Sequence, residues 1–248
     1  MIVIKSKREI GLMKKVGQIV AETHALLAEK IKPGITTQEI DRIAEEYILK
    51  CGAKPAFKGY QGFPATVCIA INKQVVHGIP EDRKLEEGDI IGLDLGAYKH
   101  GYYGDAARTL PVGNVSSEAK KLMKVTQESL DKGIEKAILG NRLTDISHAI
   151  QSHVEDHHFS VVEQYVGHGI GRKMHEAPQV PNFGAPGRGP RLKEGMTLAI
   201  EPMVNVGGYE VKVLSDNWTV VTSDGSLSAH FEDTIAITDD EPLILTRL

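Results

Sequence analysis

An α+β fold in two related halves is predicted by three observations. Helical and strand-like patterns run in the order helices then strands, twice over. No Pro/Ser-rich linker or low-complexity stretch separates the two passes. The chain has 248 residues, 41% of them apolar, enough to bury one large core. The expected organisation is a single domain over 1–248, with halves of roughly 1–115 and 116–248.

Taken in order, Ser6-Lys7-Arg8-Glu9 has the form of a capping box. Ile10, Met13, Val16, Val20 and Leu27 follow at helical spacing until Lys32-Pro33-Gly34 stops the helix. Thr36 to Glu39 opens a second helix, striped by Ile40, Ile43, Ala44, Tyr47 and Ile48 and ended by Gly52. Short β-type runs follow between about 65 and 110: ATVCIAIN, DIIGLDLGA and GYYGDAARTL. Helical spacing returns in SSEAKKLMKVTQESLDKGIEKAI and LTDISHAIQSHVED. A last β-rich stretch holds GMTLAIEPM, WTVVT and AHFEDTIAIT, and GAPGRGPR at 184–191 is too short to be a domain joint.

Composition narrows the function. With 29 basic and 33 acidic side chains the net charge is −4, which argues against a nucleic-acid coat or a basic membrane-surface binder. Apolar runs reach only four or five residues, so no bilayer span is expected. The start, MIVIKSKREI, lacks a secretory pattern, and Cys51 and Cys68 lie in no metal or redox spacing. A cytoplasmic protein is expected. Lys5, Lys7, Arg8, Lys14 and Lys15 read as a solvated basic face, with a transient ribosome contact as the alternative.

The residues that carry chemistry fall in the β-type runs. A turn at Lys99-His100 makes Asp94 and Asp105 directly opposed cross-strand partners, two carboxylates that repel unless a proton, a base or a metal sits between them. Gly92 and Gly96 on the same face are expected to leave room for a guest. In GHGIGRKMHEAP, His168 and His175 lie seven apart, and the glycines beside His168 are expected to let backbone approach a ligand. Glu201 ends the apolar run MTLAI, a costly place for an unpaired carboxylate. Glu232 sits in AHFEDTIAIT on the alternation of His230 and Thr234, and His77 lies in the apolar VVHGIP. His153 and His157 are spaced i,i+4 without the glutamate of an HExxH site and read, with His158, as a solvated face. No GxSxG elbow or phosphate-binding loop is present.

In this order, the aspartates eleven apart, GHGIG, IEPM and the late F-E-D-T closely resemble type I methionine aminopeptidases. FKGYQGFPATVCIAIN, HGIP, GDIIGLDLGA, GDAARTLPVG, YVGHGIGR, MHEAPQVP and NWTVVTSDGSLSAHFEDTI extend the likeness over essentially the whole chain. The resemblance implies the pita-bread fold, a curved antiparallel sheet backed by helices in two pseudo-symmetric halves. It implies five ligands, Asp94, Asp105, His168, Glu201 and Glu232, holding two divalent ions with Asp105 and Glu232 bridging. Four carboxylates balance two dications, and an oxygen-rich set leaves Co, Mn, Fe, Zn or Ni open. The reaction implied is removal of the initiator methionine from nascent polypeptide N-termini when the second residue is small, by a metal-bridged water. His175 is implied to polarise the scissile carbonyl, His77 to assist at the amide nitrogen, and Glu201 to act as general base. Tyr60, Phe63, Cys68 and Trp218 are implied to hold the methionine side chain. Met174, where many relatives have phenylalanine, and Phe63, where tyrosine is common, bear on pocket width. A monomer is expected. Prolidase and aminopeptidase P share the five-ligand pattern, but the roughly 90 residues before Asp94 leave no space for their usual N-terminal domain.

Overall fold

The computed structural model describes residues 1–248. Four helices form, α1 (Lys7–Lys30), α2 (Thr37–Lys50), α3 (Ser117–Lys136) and α4 (Leu143–Asp156). Ser6 and Glu9 make the reciprocal capping box, and the hydroxyls of Thr36 and Ser116 cap α2 and α3. No helix is long and apolar enough to cross a membrane.

Nine strands build one antiparallel sheet. At its centre the hairpin Ile90–Lys99/Tyr102–Pro111 pairs with Glu232–Ala236, which pairs in turn with Thr197–Ile200 and through it with Gly167–Gly169. Side chains alternate across each strand, which sorts them cleanly. Leu93, Leu95 and Ala106 point to the layer of α1 and α2, while Leu198, Ile200 and Ile235 join the core beneath α3 and α4. The residues between them face the other way, toward a cleft that the helices do not cover.

The hairpin corrects the expected register. Lys99 pairs with Tyr102, so the turn residues are His100 (φ 56°) and Gly101 (φ 83°) rather than Lys99 and His100. Two residues at positive φ make the tight turn that suits the twist of paired strands, and Gly101 takes that conformation freely. Asp94 therefore opposes Ala107, and Asp105 opposes Gly96. The two aspartates are diagonal neighbours on one face, not direct partners.

The basic face also needs correcting. Lys5 precedes α1 and is buried, its Nζ 2.5 Å from Glu176 Oε2, with side chains only 3% and 7% exposed. Lys7, Arg8, Lys14 and Lys15 remain exposed.

One buried group under the sheet ties the fold to pH. His24 of α1 lies 2.9 Å from the Ala106 carbonyl through Nε2, and burial holds its pKa down at about 3. The unfolded chain takes up that proton near 6.5 and the folded chain does not, so His24 stabilises the fold fully above 6.5. That contribution falls by about 1.4 kcal/mol per pH unit as pH drops from 6.5 toward 3. His24→Gln, which keeps a donor for Ala106, is expected to show a flatter loss of stability with acid. Urea unfolding of both proteins from pH 7 to pH 5 measures the difference, and parallel curves would refute the assignment.

Candidate active site

Register places five side chains on the cleft face of the sheet. Asp94 opposes Ala107, and Ala107 opposes Glu232, which sets both carboxylates on one row. Asp105 lies two residues before Ala107 on the same face. Ile200 opposes Asp233, so Glu201 continues the register toward Glu232, and His168 opposes Ala199 two residues earlier. Asp94, Asp105, His168, Glu201 and Glu232 all line one cavity of about 280 Å³, together with His77, His175, Tyr60, Phe63, Cys68 and Trp218. Each site residue expected from the sequence reaches this cavity. Cys68 does so because it opposes Asp94 directly.

The carboxylates are crowded and dry. Asp105 and Glu232 are 3% and 2% exposed. Buried oxygens of Asp94, Asp105 and Glu232 find no hydrogen-bond partner in the protein. Burial, followed by repulsion from the other carboxylates, holds the acids of Asp94, Glu201 and Glu232 well above the usual carboxylate range. Asp105 is pushed up to about 7 by burial. The Asp105, His168 and Glu232 donor atoms lie within 4.8 Å of one another. Orphaned oxygens and clustered negative charge are what divalent cations satisfy, and the donor set fits them.

Imidazoles complete the rim. His168 stacks at a tilt on His175, ring centroids 4.3 Å apart, and its Nε2 is 3.6 Å from Glu201. Burial, and next the neighbouring His175, lowers His168 to about 4. Its Nδ1 lies 2.9 Å from the Gly169 carbonyl; a carbonyl only accepts, so Nδ1 carries the proton and Nε2 faces the carboxylates with a lone pair. His175 is exposed, and its Nδ1 lies 2.8 Å from the Tyr60 hydroxyl. His77 holds a left-handed backbone (φ 60°) unusual for a residue with a side chain, and packs edge-on against Tyr165. Beside these rings Phe63 meets Trp218 edge-to-face at 5.2 Å, in an apolar cluster with Ala65, Cys68, Phe57 and Ile79.

Two local expectations fail. Gly96 holds no guest space, since an added side chain would meet Ala56 and the Gly104 carbonyl at 3.0 Å, whereas at Gly92 it would meet Ala70 only at ordinary contact distance, 3.4 Å. Gly167 and Gly169 serve close strand packing, with the carbonyls of Ala199 and Ala177 at 2.4 and 2.3 Å from a would-be Cβ. Met174 is 1% exposed in a cluster with Met13, Tyr102 and Ile170, against which the cavity-lining Phe57 and Tyr60 pack. Sequence reasoning also passes over His230. It is buried, its Nε2 lacks a hydrogen bond and lies 3.8 Å from Glu201, and burial lowers it to about 3. Its alternation with Glu232 is the signal that could have found it.

A family model described as metallopeptidase family M24 matches residues 11–239. The chain belongs to metallopeptidase family M24. This M24 peptidase is 61% identical, over the full length of both chains, to a methionine aminopeptidase of Clostridium perfringens. It is 58% identical over 248 residues, all of both chains, to methionine aminopeptidase 1 of Bacillus subtilis. The crystal structure of a methionine aminopeptidase from Thermotoga maritima superposes with a TM-score of 0.98 at 48% identity, covering all of both chains. The M24 peptidase thus has the pita-bread fold, an antiparallel sheet backed by four helices.

Proposed function

We infer that this M24 peptidase is a methionine aminopeptidase, releasing N-terminal methionine from nascent polypeptides whose second residue is small. The observation that carries the reading is the meeting of five ligand-type side chains with an aromatic, thiol-lined pocket in one cavity. Full-length likeness to proteins of that name supports it. We take the chain as a single catalytic domain whose two halves both contribute, since Asp94 and Asp105 precede residue 115 and His168, Glu201 and Glu232 follow it.

Asp94, Asp105, His168, Glu201 and Glu232 would hold two divalent cations, the number that balances four carboxylates. When bound, such a pair supplies Lewis acidity and a water activated for attack on a carbonyl. The chain's own groups do the rest. Glu201, ionised once cations are held beside it, would take a proton from the attacking water and return it to the leaving amine. A Tyr60 hydroxyl that donates to His175 Nδ1 leaves Nε2 carrying the proton, the donor that a developing oxyanion needs. His77, kept neutral by burial with His175 adding to the effect, lines the same cavity and would assist at the scissile amide nitrogen. Phe63, Cys68 and Trp218 offer polarisable apolar surface to a thioether.

Assaying Met-Ala-Ser beside Ala-Pro-Ala tests the reading. Free methionine is expected from the first peptide and no cleavage of the second; chelation should abolish turnover and Mn²⁺, Fe²⁺ or Co²⁺ should restore it. Preference for the Xaa-Pro peptide would assign a prolidase-type activity instead.

A further inference from the structure

On the helical layer, away from the cleft, α3 and α4 bring together Glu128, His153 and His157. All three are half-buried, and each offers a donor atom within 4.8 Å of the other two. The two histidines lie one helical turn apart, with ring centroids 4.6 Å apart. From α3, Glu128 Oε2 accepts a hydrogen bond at 3.3 Å from His153 Nε2, whose proton a bound cation would displace. Tetrahedral ligands about 2.0–2.2 Å from a zinc-sized ion are spaced roughly 3.3–3.6 Å apart, so this edge already has ligand spacing. Lys124 sits 3.8 Å from the other carboxylate oxygen, Oε1, and leaves Oε2 to the imidazole. His157 Nδ1 lies 2.8 Å from the His153 carbonyl. Because that oxygen only accepts, Nδ1 carries the proton and Nε2 keeps its lone pair, the orientation that backbone carbonyls impose on ligating histidines. Lys121 spends its charge on the His157 carbonyl at 3.0 Å and on the face of Phe159.

The sequence pattern reads His153 and His157 as a solvated face. In the structure the His153 side chain is only 18% exposed and Glu128 reaches it from the neighbouring helix. We propose that Glu128, His153 and His157 form a second divalent-metal site, separate from the cleft, that clips α3 to α4 and takes a late transition ion such as zinc or nickel with water completing its shell. The donor chemistry separates it from the cleft. Two imidazoles and one carboxylate favour zinc or nickel over manganese, whereas four carboxylates and one imidazole hold manganese readily.

The test counts bound metal on the full chain. Wild type, His153→Ala/His157→Ala and Glu128→Gln are dialysed against Zn²⁺ with Mn²⁺ in excess, and bound metal is measured by plasma mass spectrometry. The double variant is expected to bind one zinc fewer per chain, and Glu128→Gln to bind that zinc roughly 10-fold or more weakly, the usual effect of losing a supporting contact or ligand. Zinc should raise the melting temperature of wild type more than that of either variant. Hydrolysis of Met-Ala-Ser with Mn²⁺ should be unchanged in both, since none of these residues lines the cleft. Equal zinc content and affinity in wild type and the double variant overturn the proposal. So does a zinc site that Glu128→Gln leaves intact. If the double variant does not fold, His157→Asn at the helix end is read by the same two criteria.

Discussion

Asp105→Asn is expected to remove peptide hydrolysis almost completely and to leave the metal-free chain more stable, not less. Asp105 stands in the middle of the carboxylates, 3% exposed, with Oδ1 unpartnered. Its neighbours Glu201 and Glu232 are each held in the acid form partly by its charge. An amide of the same shape removes that repulsion, and a buried charge without a cation is a liability to the fold. The backbone around it is independently fixed, because Thr234 Oγ1 accepts from Asp105 N–H and donates to the Asp105 carbonyl. On the proposed reading the same substitution takes a central anionic ligand from the cleft, so kcat/KM should fall by roughly 10³-fold or more, as for a group that works only as part of a set. Peptide assay with Mn²⁺ or Co²⁺, bound-metal measurement and thermal unfolding of the stripped protein read the three effects. A variant that is unfolded, or one that stays active, would rule out Asp105 as a central metal ligand.

Much of this site is visible in the sequence because strands impose period two. Leu93-Asp94-Leu95 and Ile200-Glu201 put a carboxylate opposite the core side, and that alternation survives any error in register that keeps parity. The expected pairing of Asp94 with Asp105 is such a case. The turn sits one residue later than its composition suggests, the direct pair becomes a diagonal one, and both carboxylates still face the cleft. What the sequence hides is set by neighbours distant in the chain. Gly96 looks like empty space until Ala56 and Phe57 are placed against it. Lys5 looks like one more surface lysine until Glu176, 171 residues away, takes its charge. The glutamate that meets His153 lies on another helix, so no local motif announces it. Chemistry by residue type is legible; three-dimensional neighbours are not.

Met-Ala-Ser is expected to be cleaved at least about 10²-fold faster, in kcat/KM, than Met-Phe-Ser or Met-Leu-Ser. The walls of the cavity set this ratio. On the proposed reading its apolar end, lined by Phe63, Cys68 and Trp218 with Tyr60 beside them, would receive the first side chain. The second residue would then leave past His77 and His175, which line the same cavity. Both rings are held in place, His175 by the 2.8 Å contact with Tyr60 and His77 by its constrained backbone and the edge contact with Tyr165. A rigid imidazole rim passes a methyl or hydroxymethyl group, but a benzyl or isobutyl group must displace a ring, a misfit of a few kcal/mol. Met174 is buried among Met13, Tyr102 and Ile170 and does not line the cavity, so it is not expected to relax this limit. Met174→Phe should therefore alter stability through overpacking, by about 1–3 kcal/mol, while leaving the ratio of Met-Ala-Ser to Met-Val-Ser cleavage unchanged. Tyr60→Phe, which frees His175, should instead narrow the ratio between Met-Ala-Ser and Met-Phe-Ser. Similar kcat/KM for those two peptides in the unaltered enzyme would show that no wall stands at the second residue.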